Sequence, residues 1–192
     1  MSGGKPIATL RSATGIPTGR LAVWWLLASE IVIFGGVLSS YIMHRLGHPE
    51  FGDYAANTNP QIGITNTIVL LLSSYFAVRA HYCAEHGDGR GAFKWLWYCI
   101  GGALTFLCIK SVEWTIEIHH GYTITTNAFW SFYYTAAGIH ASHVIAGATV
   151  MAWVANDAKN NRELQRVELV GLYWHFVDLV WIFLFPLLYI AK

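Results

Sequence analysis

Charge is what this chain has least of. Of its 192 residues only 12% are Asp, Glu, Lys or Arg, against 55% hydrophobic, and the mean hydropathy is +0.41. So little charge excludes a soluble domain of this length and points to an integral membrane protein. Net charge is equally scarce: +1, with a pI near 7.8, leaves no basic footprint for nucleic acid. Cysteine is sparse and unpatterned. Cys83, Cys99 and Cys108 are odd in number, lack a C-x-x-C spacing and lie in or beside hydrophobic stretches. Neither a disulfide framework nor a zinc site is indicated. No internal repeat, low-complexity tract or soluble domain interrupts the chain. No cleavable-looking apolar core precedes Leu21, and the first hydrophobic segment is too long for a signal peptide, so it is expected to stay in the membrane.

Long apolar runs are what the chain has in abundance. Residues 21–43, 62–82, 93–118, 128–155 and 167–191 each approach the ~20 residues that a helix needs to cross hydrocarbon. Between them lie connectors with turn chemistry: Gly47-His48-Pro49, Asn57-Thr58-Asn59-Pro60, Gly87-Asp88-Gly89 and Asn160-Asn161. The expected fold is all-α, one integral membrane bundle of five transmembrane helices spanning 1–192 after a short tail at 1–20.

Basic residues choose the direction. Lys5, Arg11, Arg20, Arg79, Arg90, Lys94, Lys159, Arg162 and Arg166 fall on one side, whereas Arg45 and Lys192 fall on the other. Nine against two, with Lys110 set aside inside the third span, predicts a cytoplasmic N-terminus and an outside C-terminus. Rise per residue then gives depth. Glu30 lies roughly 15 Å into the first helix, Asp178 a similar distance into the last, and His143 near the middle of the fourth. His140 and His175 lie within about two turns of that level.

Ionisable groups in hydrocarbon are expensive and usually face a protein partner. His175 and Asp178 share one face of the last helix, flanked by Trp174 and Trp181. Lys110, Glu113 and Glu117 form one stripe of the third helix, read as an internal ion pair plus a carboxylate snorkelling to the outer interface. His140 and His143, at i and i+3, could join these carboxylates in a metal centre. However, a bundle di-iron site wants Glu-x-x-His on two helices, and neither copy is present. The expectation is therefore no bound metal. Glu30 and His143 are expected to hydrogen-bond between the first and fourth helices, with a second polar contact between Asp178 and His175. His44, His48, His119 and His120 are expected at the outer surface, and His81 and His86 at the inner one. Inner-surface imidazoles could buffer protons. Trp24, Trp25, Trp95, Trp97 and Trp153 sit near span ends as an aromatic belt would, and Gly35 with Ser39 and Ser142 with Ala146 allow close helix approach.

Several motifs, in order, resemble the subunit III family of the haem-copper oxidases. Tyr173-Trp174-His175-Phe176-Val177-Asp178-Leu179-Val180-Trp181 resembles that family's closing motif. Ser29-Glu30 with Phe34, Asn66-Thr67 before Val69-Leu70-Leu71, Glu113-Trp114, and Gly138-Ile139-His140-Ala141-Ser142-His143-Val144 resemble its earlier ones. The resemblance covers Val23 to the C-terminus. Two residues depart from it: Ala141 stands where glycine is usual, and Lys110 where an uncharged polar residue is common. The chain resembles the last five helices of the larger seven-helix form, whose first two complete a lipid-holding cleft that this chain alone cannot form.

The resemblance implies a non-catalytic subunit with no cofactor of its own. Haem and copper would sit in partner subunits, chiefly subunit I, with subunit II, other respiratory-complex subunits and membrane lipid as further partners. The assembly would reduce oxygen to water with electrons from cytochrome c or quinol. This chain would stabilise subunit I and support proton uptake from a bacterial plasma (inner) membrane. The proton-related residues are then Glu30, His143, His140, His175, Asp178 and Glu113, with no catalytic and no metal-binding residue. Two rival readings remain: an accessory subunit of a nitric oxide reductase, and an independent membrane metalloprotein using His140 and His143.

Overall fold

The structure is a computed structural model, and it describes residues 17–190. Most of the expected N-terminal tail, with Lys5 and Arg11, lies outside the described residues, as does Lys192. Five helices are long and apolar enough to cross a membrane: α1 (Thr18–Gly47), α3 (Pro60–Glu85), α4 (Gly89–His119), α5 (Ala128–Lys159) and α6 (Gln165–Phe185), the last continued by a π-helical turn at Pro186–Ile190. A short helix, α2 (Phe51–Ala55), lies in the first connector.

Most of these helices run beyond the apolar stretches that announce them, because a helix ends at a cap or turn and not at the hydrocarbon edge. Asn59 caps α3 by accepting from the Gln61 and Ile62 amides at 3.1 and 3.4 Å, with Pro60 already set for the first turn. Asp88 accepts from Gly91 at 2.8 Å to start α4, and Asn127 accepts from Trp130 at 3.0 Å to start α5. At Pro186 the missing N–H removes one α-helical bond, and the chain widens into the π turn that carries Leu188 and Tyr189 inward. The sequence did not announce α2. It forms because Phe51 and Ala55 are buried against the start of α5, with the Phe51 and Phe129 rings edge to face at 5.9 Å.

Helices α3, α4, α5 and α6 close a four-helix ring in which each packs on its two neighbours, and α1 lies outside against α5 and α6. Small residues set the closest approaches. A Cβ on Gly102 of α4 would sit 2.7 Å from the Ser73 Cβ of α3, and one on Gly147 of α5 would sit 3.1 Å from the Trp174 ring of α6. The ring's interior is aromatic: Phe106 meets Trp181 edge to face at 4.9 Å, and Trp130, Trp174, Tyr133 and Tyr189 are all fully buried. At one end the α5–α6 turn locks onto α4, where Asn161 Oδ1 accepts from the Gly89 amide at 2.9 Å. α1 is the least buried of the spanning helices, with Trp25, Val32 and Met43 turned outward.

Candidate functional site

Glu30 and His143 meet between α1 and α5. The Glu30 Oε2 lies 2.8 Å from His143 Nε2, which matches the expected pairing in distance. The carboxyl oxygen is off the line of a straight hydrogen bond, so the contact is best described as a close ion-pair approach. Glu30 stands about 18 Å along α1 and His143 about 22 Å along α5, each near mid-helix. The other ring nitrogen, Nδ1, is 2.8 Å from the Ile139 carbonyl, which can only accept, so Nδ1 carries a hydrogen. In the neutral ring Nε2 is then bare. One proton therefore serves the pair: it sits on the carboxyl facing a neutral ring, or on the ring facing a carboxylate. Phe34 shields the imidazole edge-on at 5.2 Å, and a largely apolar cavity of 540 Å³ opens beside the pair towards Tyr173, Trp153 and Arg166.

A second polar set lies inside the four-helix ring. Lys110 Nζ donates to Glu113 Oε2 at 3.0 Å, to the Tyr133 hydroxyl at 3.0 Å and to the Tyr189 hydroxyl. Both phenols in turn donate to Glu113 Oε1, at 3.0 and 2.7 Å. All three ammonium hydrogens are used, and the Tyr133 and Trp181 rings lie 4.6 and 5.5 Å from the cation. The expected internal ion pair is there. Glu117 departs from expectation: instead of snorkelling to the interface it is 3% exposed, with Oε2 unpartnered, at the floor of a polar cavity shared with Gln61 and His120. The α1–α3 connector folds over that end of α4 and covers it.

Asp178 and His175 do not pair with each other. The His175 Nδ1 instead lies 2.6 Å from the Ser74 hydroxyl of α3, while Asp178 is buried with neither oxygen hydrogen-bonded to a described residue. Residues at i and i+3 stand about 60° apart around a helix, enough here to leave His175 half-buried against Ser74 and Asp178 deeper in the bundle. His140 is likewise buried, its ring between Phe106 at 5.5 Å and Trp181 at 5.2 Å. The imidazoles of His140 and His143 thus take different neighbours, one the core aromatics and the other Glu30. Among the described residues no three His, Cys, Asp or Glu side chains converge as metal ligands.

Tyr133, Tyr189, Ser73 and Ser74 complete these networks, and nothing in their spacing marks them. Ser73 accepts from Trp174 Nε1 at 3.0 Å, and Thr67 accepts from Trp181 Nε1 at 3.0 Å. Only a buried indole's need for an acceptor could have suggested such partners.

Comparison with known proteins follows the same motifs. Residues 11–192 match the family described as cytochrome c oxidase subunit III. A cytochrome c oxidase subunit 3 of Corynebacterium diphtheriae is 29% identical over 100% of this chain and 96% of its own length. Its counterpart in Bacillus sp. (strain PS3) is 31% identical over 96% of this chain and 92% of its own. A heme-copper oxidase subunit I+III of Aeropyrum pernix is 27% identical over 90% of this chain and 22% of that longer protein. The chain belongs to the haem-copper oxidase subunit III family, as an integral membrane subunit of a respiratory oxidase.

Proposed function

We propose that this subunit braces the catalytic subunit I of its oxidase and supports proton uptake into it, while haem and copper stay in partner chains. The observation that carries the reading is the Glu30–His143 pair, a carboxyl and an imidazole 2.8 Å apart at mid-depth. A charge there is tolerable only when paired, so the contact holds α1 to the four-helix ring. The Aeropyrum relative supports the choice of partner, since its name joins subunits I and III. The outward apolar face of α1 offers the surface such a partner needs. Subunit II and further respiratory subunits complete the assembly, in a bacterial plasma membrane with the N-terminus cytoplasmic. His140, His175, Asp178 and Glu113 are the further buried or half-buried polar groups to which the same proton-related role is assigned.

Glu30→Ala in the intact complex tests this reading. The expected outcome is weaker retention of this subunit and turnover that fades with time, with normal haem content and initial oxygen reduction preserved. Complete loss of oxygen reduction in a fully assembled complex would make Glu30 directly catalytic and overturn it.

A further inference from the structure

Three side chains in the four-helix interior have polar atoms facing no partner. Asn66 on α3 and His140 on α5 are fully buried, and Asp178 on α6 is 4% exposed. Both polar atoms of each, the Asn66 amide, the His140 nitrogens and the Asp178 oxygens, lack a hydrogen-bond partner among the described residues. A dry core does not hold six such atoms: buried polar groups are satisfied, and where protein supplies no partner, water does. All three are grouped around Trp181. Trp181 touches the His140 ring, donates to Thr67 beside Asn66, and stands one turn from Asp178.

The surrounding groups differ towards the two ends. Towards the α3–α4 and α5–α6 turns, the Ser74 hydroxyl bonds His175 at 2.6 Å, one turn before Asp178 on α6. His175 interacts in turn with His81, which lines a polar cleft of 310 Å³ with Arg20, Glu85 and Glu168. Towards the opposite end stands Lys110. Its three hydrogens are taken, an ammonium has no acceptor, and the phenols beside it are committed to Glu113. Lys110 itself offers an incoming proton no acceptor, and its positive charge separates the interior from the Glu113 and Glu117 carboxylates. The other ionisable neighbour is Cys99 on α4, while Glu30 on α1 is engaged with His143 outside the ring.

We propose that Asn66, His140 and Asp178 form an internal site for water and one exchangeable proton, reached through Ser74 and His175 and closed on the far side by Lys110. The proton comes from water in the His81 cleft. His175, bonded to Ser74 and one turn from Asp178, passes it through the site's water to the Asp178 carboxylate, leaving a neutral carboxylic acid as apolar surroundings require. The site stands on the interior residues alone and does not depend on the Glu30–His143 pair.

Infrared difference spectroscopy of the purified oxidase complex, in H2O and after transfer to D2O, reads this proton. The expected result is a carboxylic-acid C=O band that vanishes in Asp178→Asn, shifts in Asp178→Glu and survives in Glu30→Gln. In the wild type it should move to its deuterated position within seconds. Ser74→Ala should slow that exchange about tenfold, as for loss of one relay hydrogen bond. Ser74 is half-buried, so this variant and the wild type keep the test open even where an Asp178 variant does not assemble. A band left intact by Asp178→Asn, or one lost in Glu30→Gln, would overturn the site. So would a band that fails to exchange over hours, and exchange at the wild-type rate in Ser74→Ala would overturn the route.

Discussion

Lys110 carries the sharpest argument at the scale of single residues. Its ammonium is buried, and its hydrogen-bond partners are Glu113, Tyr133 and Tyr189, with ring faces around it. Removing one partner of such a pair strands the other, at a cost of ~3–5 kcal/mol, whereas replacing both by apolar or neutral groups is often tolerated. Lys110→Met should therefore lower the temperature at which this subunit leaves the purified complex, and Lys110→Met with Glu113→Gln should recover much of that loss. A single variant as well retained as the wild type would show that the pair contributes nothing to holding the fold. The same reasoning explains why Glu30 tolerates its position: His143 supplies either a proton acceptor or a positive charge, according to where their shared proton sits.

Between elements, the fit of α3 against α4 depends on the absence of one side chain. Gly102 faces Ser73 so closely that an added Cβ would lie 2.7 Å from the serine Cβ. Its neighbour Gly101 has open space in the same test. Gly102→Ala should force the helices apart and break the Trp174–Ser73 bond, costing ~1–3 kcal/mol as overpacking does. Gly101→Ala should be neutral or stabilising by up to ~1 kcal/mol, since alanine favours helix. Thermal dissociation of the subunit from detergent-solubilised complex would compare the two. Equal effects would mean that helix propensity, and not interhelical contact, governs this seam. α1 is different in kind: it meets the ring through Glu30–His143, Tyr41 to the Leu187 carbonyl at 2.9 Å, and the Arg20–Glu168 ion pair. It is also the least buried of the spanning helices.

For the whole molecule, direction in the membrane follows from the basic residues of the turns. Arg90 lies beside the α3–α4 turn, and Arg45 near the end of α1 at the opposite end of the bundle. A cysteine placed at Arg90→Cys should react with a membrane-impermeant maleimide in inverted vesicles and stay unlabelled in intact cells, while Arg45→Cys should do the reverse. Labelling of the Arg90 position from outside would invert the topology. The cleft that feeds the proposed interior site would then face the wrong compartment for proton uptake from the cytoplasm.

Helix number was determined by the sequence itself, because crossing hydrocarbon demands long runs of apolar residues that few soluble segments imitate. Family motifs were equally local, and they pointed to Glu30 and His143 because a mid-span carboxylate needs a partner at its own depth. Contacts that depend on rotation about each helix axis were not legible. Three residues turn a side chain by about 300°, so His175 and Asp178 stand about 60° apart, enough for His175 to bond Ser74 while the Asp178 carboxyl stays unpaired with it. The same holds for Glu117, whose covering comes from a connector folded over it, and for Tyr189, swung inward by a π turn that a single proline initiates. A linear pattern carries depth along a helix, but only the assembled ring decides which depths meet.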